Sequence, residues 1–285
     1  MAFLRVIMMS SVILETGRQV GVAHSVFIAD NALDVLQRHQ LDSFEALWQV
    51  RAELVDEPNQ ARGGHSSVSR LTLQDACGTP QVFYLKRQSN YLIRSMRHPL
   101  GEPTVVREFR NIERYAELGI PALEASYCGQ RRMGGEWQAI LLTRNLDDYL
   151  PLDHWFADWH KLEHCQKREL LVAAGKLVAL LHSRSMVHNS LYPKHIFLRL
   201  MDDGACARLI DLESSRMHLF PAWGCLRDLE VLNRRSQPPS KSQRLRFLLA
   251  YLDKPKVDAQ VRYWVARILR RTARKRAMHD NRKAA

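Results

Sequence analysis

The sequence is poor in the features that mark secreted, zinc-binding and membrane-spanning proteins. Its 285 residues include five cysteines, which are scattered and form no Cys-x-x-Cys pair. A disulfide framework and a zinc site are therefore disfavoured, and free thiols fit a reducing compartment. No stretch reaches the roughly 20 apolar residues that a membrane-spanning helix needs. Repeats and low-complexity segments are also absent, so the chain is expected to form one large globular domain or two lobes.

Acidic residues are fewer than basic ones. There are 30 Asp and Glu against 42 Lys and Arg, which gives a net charge of +12 and a pI of about 9.8. Most of the excess lies between residues 262 and 283, which contain nine Lys or Arg and one Asp. This balance suggests a polyanionic partner, whether nucleic acid, an anionic membrane or a phosphorylated glycolipid. Nucleic acid is the least favoured partner, because few aromatic residues are interleaved with the basic ones.

An apolar stripe precedes and overlaps this basic segment. Val261, Trp264, Val265, Ile268 and Leu269 follow helical spacing and predict an amphipathic helix. A basic amphipathic helix can lie on an anionic membrane surface. The alternative is that the stripe packs on the protein and only the basic tail, residues 271–285, is free.

The first 24 residues are expected to be a poorly ordered leader. Their apolar stretch is interrupted by Arg5, Ser10 and Ser11, and no small-residue cleavage site follows, which disfavours a signal peptide. Residues 33–51 then carry apolar side chains at helical spacing and predict a helix.

Two glycines precede a predicted strand. Gly63 and Gly64 are followed by alternating apolar residues, a pattern typical of a tight turn that enters a strand. The turn is either a simple hairpin or a loop whose bare backbone N–H groups hold nucleotide phosphates, with Ser66 beside it. A second strand, over residues 81–87, contains Lys86. That lysine is either a solvated edge residue or one that grips phosphates.

A carboxylate lies on the apolar stripe of the next predicted helix, residues 103–118. Glu108 falls on the same face as Val105 and Ile112. Burying an unpaired carboxylate is strongly unfavourable, so a buried Glu108 needs a cationic partner, for which Lys86 is the natural candidate. The alternative is that Glu108 borders the stripe and stays hydrated.

A polar connector separates two kinds of predicted structure. Residues 125–130 and 138–143 predict a hairpin, residues 144–149 are polar, and residues 167–183 predict a strong helix. The sequence therefore predicts a sheet-rich lobe over residues 25–145, a helical lobe over residues 146–270 and the basic tail over residues 271–285.

The helix leads into the most informative loop. His188 and Leu191 stand three positions apart, and Asp211 ends an apolar strand. This arrangement resembles the protein-kinase pattern H-R-D-L-x-x-x-N followed by a strand ending in D-F-G. Two positions depart from it, since Ser190 stands where the catalytic Asp belongs and His195 stands where the Asn belongs.

The sequence after this loop favours a small or lipid-linked substrate. The segment from residue 212 to 222 is too short for a protein-kinase activation segment, and no Ala-Pro-Glu follows. Asp228 opens another predicted helix. It either braces the backbone of the loop, as an Asp in this place does in kinase-like folds, or is an ordinary acid at a helix N-terminus.

The order of these features resembles the protein-kinase-like superfamily and, more closely, the lipopolysaccharide core kinases of the Kdo/WaaP family, InaA-like branch. The resemblance covers about residues 40–255, and the stretches that carry it are 62–71, 84–88, 98–112, 119–124, 191–197 and 209–213. It implies an α+β, bilobal protein-kinase-like fold, with a small antiparallel-sheet N-lobe plus one regulatory helix and a larger helical C-lobe.

The resemblance also implies a function and site roles. The implied reaction is ATP- and Mg²⁺-dependent phosphorylation of a sugar of the lipopolysaccharide inner core, in the cytoplasm and peripherally at the inner membrane. Lys86 would hold the phosphates beneath the glycine loop, and Glu108 would orient it. Asp211 and His195 would bind Mg²⁺. The partner would be lipopolysaccharide core or another anionic glycolipid, with the basic tail touching the membrane.

Ser190 leaves the activity open. A serine cannot accept a proton near pH 7, and general-base help is worth about 10²–10⁴-fold. Either Glu213 or His195 serves instead, or turnover is slow, or the chain is an InaA-like pseudokinase that acts as a nucleotide-binding or stress-response module.

Overall fold

The computed structural model describes residues 23–55, 57–96, 98–218 and 221–284. The expected leader therefore lies outside the described residues, apart from its last two positions. The described chain divides into two compact units. The first contains the residues up to Glu113 together with Leu123–Asn145, and the second contains Arg114–Ala122 and the residues from Leu146 onward.

Antiparallel strands dominate the first unit. They are β1 (Ala23–Ile28), β2 (Glu53–Leu54), β3 (Asn59–Ala61), β4 (Gly64–Gln74), β5 (Pro80–Ser89), β6 (Leu92–Ile93), β7 (Glu102–Pro103), β8 (Ala125–Met133) and β9 (Glu136–Arg144). Seven of them form one sheet in the order β1-β8-β9-β5-β4-β2, with β3 also paired to β4. Strands β6 and β7 form a separate pair. The long central strand β5 therefore has a hydrogen-bonded neighbour on each side.

Two short helices replace the continuous helix predicted over residues 33–51. They are α1 (Asp30–Arg38) and α2 (Phe44–Gln49). The chain turns between them at Gln40, whose φ is 56°. Ser43 then caps α2, because its hydroxyl accepts the backbone N–H three residues later. A serine in this position satisfies a donor of the first helical turn and so favours a new helix start.

The core of the first unit lies between these helices and the sheet. Leu36 and Leu47 are fully buried and pack in one cluster with Leu85 and Ile140 of the central strands. The third helix, α3 (Thr104–Glu117), agrees with the prediction over residues 103–118. It follows β7 directly, and its final residues belong to the second unit.

The second unit is mainly helical. Its helices are α4 (Leu152–Ala157), α5 (His164–Ser183), α6 (Pro221–Arg235), α7 (Lys241–Tyr251) and α8 (Ala259–Ala284). Its short strands are β10 (Leu150–Pro151), β11 (Met186–Val187), β12 (Ile196–Met201), β13 (Gly204–Leu209) and β14 (Arg216–Met217). Single turns of 3₁₀ helix occupy Trp159–Lys161, Pro193–His195 and Leu212–Ser214.

Helix α5 is the central support of this unit. Eight of its residues are buried, and Gly175 lets it approach α7 closely. A Cβ atom at Gly175 would lie 2.7 Å from the backbone oxygen of Phe247, a distance that side chains do not tolerate. The loop after α5 is thus carried by a well-packed helix.

Helix α8 runs through the boundary predicted at residues 270 and 271 without a break. Val261 and Ile268 on its apolar stripe are buried, whereas Leu269 is exposed. In the described ranges, no helix is both long and apolar enough to cross a membrane.

Candidate functional site

The glycine turn joins β3 to β4 as a hairpin. Arg62 and Gly63 both have positive φ, 58° and 76°, as in the two-residue turns that suit the twist of paired strands. A Cβ atom at Gly64 would lie 2.2 Å from the backbone carbonyl carbon of Asn90, so only glycine fits there. Ser66 follows on β4, and its hydroxyl accepts a hydrogen bond from Gln88 at 3.2 Å. The hairpin alternative describes the local structure, and phosphate binding stays a prediction.

Lys86 and Glu108 form an ion pair inside the first unit. The distance between Lys86 Nζ and Glu108 Oε2 is 2.7 Å, and the two side chains are 23% and 3% exposed. Lys86 lies on β5 opposite Val68 of β4 and Leu141 of β9. The sequence-based expectation that a buried Glu108 would take Lys86 as its partner is met by this contact.

Gln88, which sequence reasoning missed, holds the start of α3 beside this pair. Its side-chain amide donates to Thr104 Oγ1 at 2.8 Å, and its oxygen accepts the Val105 N–H at 3.1 Å. Because residues two apart on a strand share a face, Gln88 points to the same side of the sheet as Lys86. The sequence signal that could have found Gln88 is a polar residue two positions after Lys86, on the same face of the strand.

In the second unit, the loop after α5 is held by Asp228 of α6. The Asp228 carboxylate accepts the backbone N–H of His188 at 2.7 Å and that of Asn189 at 3.0 Å. The carboxyl group is almost fully buried. The prediction that Asp228 braces the loop backbone agrees with these contacts, and the alternative of a plain helix-terminal acid does not.

A histidine and a tyrosine extend this brace. His182, at the end of α5, places Nε2 3.4 Å from Asp228 Oδ2 and Nδ1 3.0 Å from the Tyr251 hydroxyl. Burial disfavours the charged imidazole, but hydrogen bonds to Asp228 and Cys225 outweigh it and raise the pKa of His182 to about 9. A charged His182 therefore neutralises the Asp228 carboxylate.

His188 is fully buried beneath the loop. Its Nε2 atom lies 2.9 Å from the backbone oxygen of Ile210, the residue just before Asp211. The next residue, Asn189, has a φ of 64° and donates its side-chain amide to Ser214 O at 3.0 Å. These contacts link the loop to the segment around Asp211, so His188 helps to fix the position of that segment.

His195 and Asp211 meet directly. His195 Nε2 is 3.1 Å from Asp211 Oδ2, and the side chains are 8% and 35% exposed. The other ring nitrogen, Nδ1, lies 2.8 Å from the Ser190 backbone oxygen. Burial is the main reason why the pKa of His195 is lowered, opposed by Asp211 and assisted by His188. The lowered pKa favours the neutral imidazole.

This pair fits a metal ion carried by a nucleotide. Mg²⁺ is commonly held by one or two carboxylates, with waters and substrate phosphates completing its shell. Across the part of the chain that the structure describes, no group of three or more His, Cys, Asp or Glu side chains is placed to hold a metal. A metal ion at Asp211 and His195 would therefore take most of its ligands from phosphate and water.

Ser190 contributes its backbone rather than an acid–base group. Its carbonyl oxygen receives the Tyr192 N–H at 2.8 Å, in addition to the contact with His195. Glu213, one alternative base, lies on the 3₁₀ turn Leu212–Ser214 after Asp211. The role of either residue in proton transfer stays a prediction.

Comparison with known proteins identifies the family. The model of the lipopolysaccharide kinase (Kdo/WaaP) family matches residues 45–251. Protein InaA of Escherichia coli (strain K12) is 27% identical over 203 residues, which cover 70% of this chain and 91% of that protein. A solved structure described as WaaP in complex with acyl carrier protein superposes with a TM-score of 0.64 at 20% identity, covering 88% of this chain and 98% of that one.

These similarities confirm the family and the fold class that the sequence motifs predicted. At 20% identity the WaaP structure supports the fold alone, an antiparallel-sheet part and a mainly helical part of kinase-like type. The family assignment comes from the match over residues 45–251, which spans most of the chain. The chain belongs to the lipopolysaccharide kinase (Kdo/WaaP) family.

Proposed function

We propose that this protein transfers the γ-phosphate of ATP, with Mg²⁺ or a similar divalent ion, to a sugar of the lipopolysaccharide inner core. The observation that carries the proposal is the Lys86–Glu108 ion pair at 2.7 Å in a chain of this family. A lysine fixed by a helix glutamate is the part of a kinase that positions nucleotide phosphates. Lys86 is already paired with Glu108, and its side chain stays 23% exposed, so its ammonium group can reach a phosphate.

The second unit supplies the remaining roles in this proposal. Asp211 and His195 would hold the metal ion, while Asp228 and His188 keep the loop in place. Phosphoryl transfer depends mostly on positioning and on charge stabilisation, so Ser190 lowers the rate without abolishing the reaction. Glu213 would then assist the acceptor hydroxyl, since one ring nitrogen of His195 contacts the Ser190 carbonyl and the other would hold the metal ion.

The direct test is transfer of labelled phosphate from ATP to purified core oligosaccharide. We expect transfer by the wild type and its loss in Lys86→Met. Lys176→Met changes an exposed lysine of α5 and serves as the matched control. Absence of transfer by the wild type, beside an active family kinase in the same assay, would contradict the proposal.

A second candidate function is a nucleotide-binding pseudokinase, and the serine at position 190 favours it. Ser190→Asp separates the two. If the wild type is active, the aspartate raises the rate by up to about 10²–10⁴-fold through general-base assistance. If the wild type binds ATP but transfers nothing, and Ser190→Asp becomes active, the natural chain is a pseudokinase.

We also propose peripheral binding to the anionic surface of the inner membrane, from the cytoplasmic side. Helix α8 supports this, because Arg270, Arg274, Lys275 and Arg276 are exposed on it. Each cation near an anionic surface contributes about 1 kcal/mol. Sedimentation with vesicles containing anionic lipid should fall when these four residues are changed to Gln, and vesicles of neutral lipid are the control.

A further inference from the structure

The ring of His195 contacts two hydrogen-bond acceptors. Nδ1 is 2.8 Å from the Ser190 backbone oxygen, and Nε2 is 3.1 Å from Asp211 Oδ2. A metal ion binds imidazole only through a ring-nitrogen lone pair, so a metal-bound His195 would keep a single N–H. In that state only one of the two contacts is a hydrogen bond, and the other nitrogen is available to the metal ion.

The geometry indicates which nitrogen carries the proton. Nδ1 makes the shorter contact, and its partner is a carbonyl oxygen, which can only accept. A histidine that binds a metal typically donates its second ring N–H to a carbonyl or carboxylate, which fixes the tautomer. The Nε2 lone pair of His195 then lies beside Asp211 Oδ2, where one cation could bind both atoms.

The separation of the two atoms suits a shared ion. Two adjacent ligands of an octahedral ion, each at about 2.1 Å, stand about 3.0 Å apart. The observed Nε2–Oδ2 distance is 3.1 Å. The site thus offers one nitrogen and one oxygen at ligand spacing, and the ring is held by burial and by the Ser190 carbonyl.

We infer that His195 makes this site prefer a first-row transition-metal ion, with Mn²⁺ or Co²⁺ as probes, over Mg²⁺. Mg²⁺ favours oxygen ligands and releases water reluctantly, whereas imidazole nitrogen suits transition metals. The inference rests on the proposed function for its nucleotide and refines the identity of the metal. Since His195 and Asp211 are the only ligands assigned, the ion binds together with the nucleotide.

Calorimetry measures the preference. Binding of ADP and of a non-hydrolysable ATP analogue is titrated in Mn²⁺, Co²⁺ or Mg²⁺, for the wild type, for His195→Asn and for His164→Asn. His164 is exposed at the start of α5 and is the matched control. We expect the wild type and His164→Asn to bind nucleotide about tenfold more tightly in Mn²⁺ than in Mg²⁺. In His195→Asn, an oxygen ligand replaces the nitrogen and the ratio falls towards one.

Pulsed electron paramagnetic resonance gives an independent reading. In the Mn²⁺–nucleotide complex of the wild type, we expect nitrogen modulation from a coordinated imidazole, changed by ¹⁵N-histidine labelling and absent in His195→Asn. The labelling experiment needs no variant and decides the matter even if His195→Asn does not fold.

The outcomes separate this inference from the proposed function. Equal Mn²⁺ and Mg²⁺ affinities with an unchanged ratio in His195→Asn, or bound Mn²⁺ without histidine nitrogen, would overturn the inference and leave the kinase proposal standing. No nucleotide binding with any of the metal ions would overturn both.

Discussion

Two buried carboxylates, one in each unit, are stabilised in different ways. Glu108 is matched by the ammonium group of Lys86, a long side chain that stays 23% exposed. Asp228 is matched by two backbone N–H groups and by His182, all in the interior. The first arrangement leaves a cation able to reach a ligand, whereas the second leaves nothing free to move.

This difference agrees with the roles that we propose, phosphate binding for Lys86 and fixing of the loop for Asp228. A flexible lysine beside a fixed glutamate can shift towards a phosphate, since Nζ lies at the end of a mobile stem. An aspartate bonded to the main chain fixes the loop that contains Ser190 and His195. Changes at Asp228 should therefore alter stability most, and changes at Lys86 should alter ligand binding most.

Asp228→Asn should have the largest effect on stability. The amide accepts from one of the two backbone N–H groups at best, and the charge opposite His182 is lost. We expect a loss of about 3–5 kcal/mol, measured by chemical unfolding. Asp203→Asn, at an exposed turn of the same unit, is the control. A loss no larger than that of the control would show that the brace is dispensable.

Stability should also depend on pH through His182. The pKa of His182 is raised from its ordinary value of 6.5 to about 9, so the stability that its charge contributes is complete below pH 6.5 and is lost as the pH rises through 9. The expected loss is about 3 kcal/mol. The variant His182→Gln removes the titrating group and leaves its neighbours Asp228, Cys225 and Tyr251 in place. Its melting temperature should therefore decline less than that of the wild type between pH 6.5 and 9.5.

Glu108→Gln should have a smaller effect, because Lys86 can turn its ammonium group partly into water. We expect a loss of about 1–3 kcal/mol in the free energy of unfolding and weaker ATP binding. Glu117→Gln lies on the same helix but is exposed, and it should change neither quantity. Unaltered ATP affinity in Glu108→Gln would argue against the role proposed for the pair.

The smallest expected change in stability is that of the double variant Lys86→Met/Glu108→Leu. Replacing both members of a buried ion pair with apolar residues is often close to neutral. The free energy of unfolding of the double variant should lie within about 1 kcal/mol of the wild-type value, although nucleotide binding is lost. A double variant less stable than Glu108→Gln would indicate that other contacts of these residues dominate.

The features that could be predicted from the sequence all depend on patterns among residues close together in the chain. Helical spacing placed Glu108 on the apolar face of its helix, where a buried carboxylate needs a cation, and Lys86 on the preceding strand was the natural candidate, so their pairing could be predicted. The break between α1 and α2 was missed because the apolar spacing continues through it. The signal there was Ser43, a helix-capping residue inside an apparently continuous pattern.

Other contacts had no local signal. His182 meets Asp228 and Tyr251, which are 46 and 69 residues away in the chain. Nothing in the spacing of the residues around His182 distinguishes it from an ordinary histidine at a helix end. Only the tertiary fold of the second unit brings the three side chains together, with α5 packed against α7 and Asp228 of α6 within reach of His182.

Helix α8 has a consequence for the kinetics and thermodynamics of association. Its 26 residues span about 39 Å at 1.5 Å per residue, so its cations have fixed spacing before any partner arrives. A disordered basic segment loses about 1–2 kcal/mol of backbone entropy for each residue that becomes ordered on binding. A segment that is already helical avoids this loss, and its binding to an anionic surface should be governed by charge and be weakened steeply by salt.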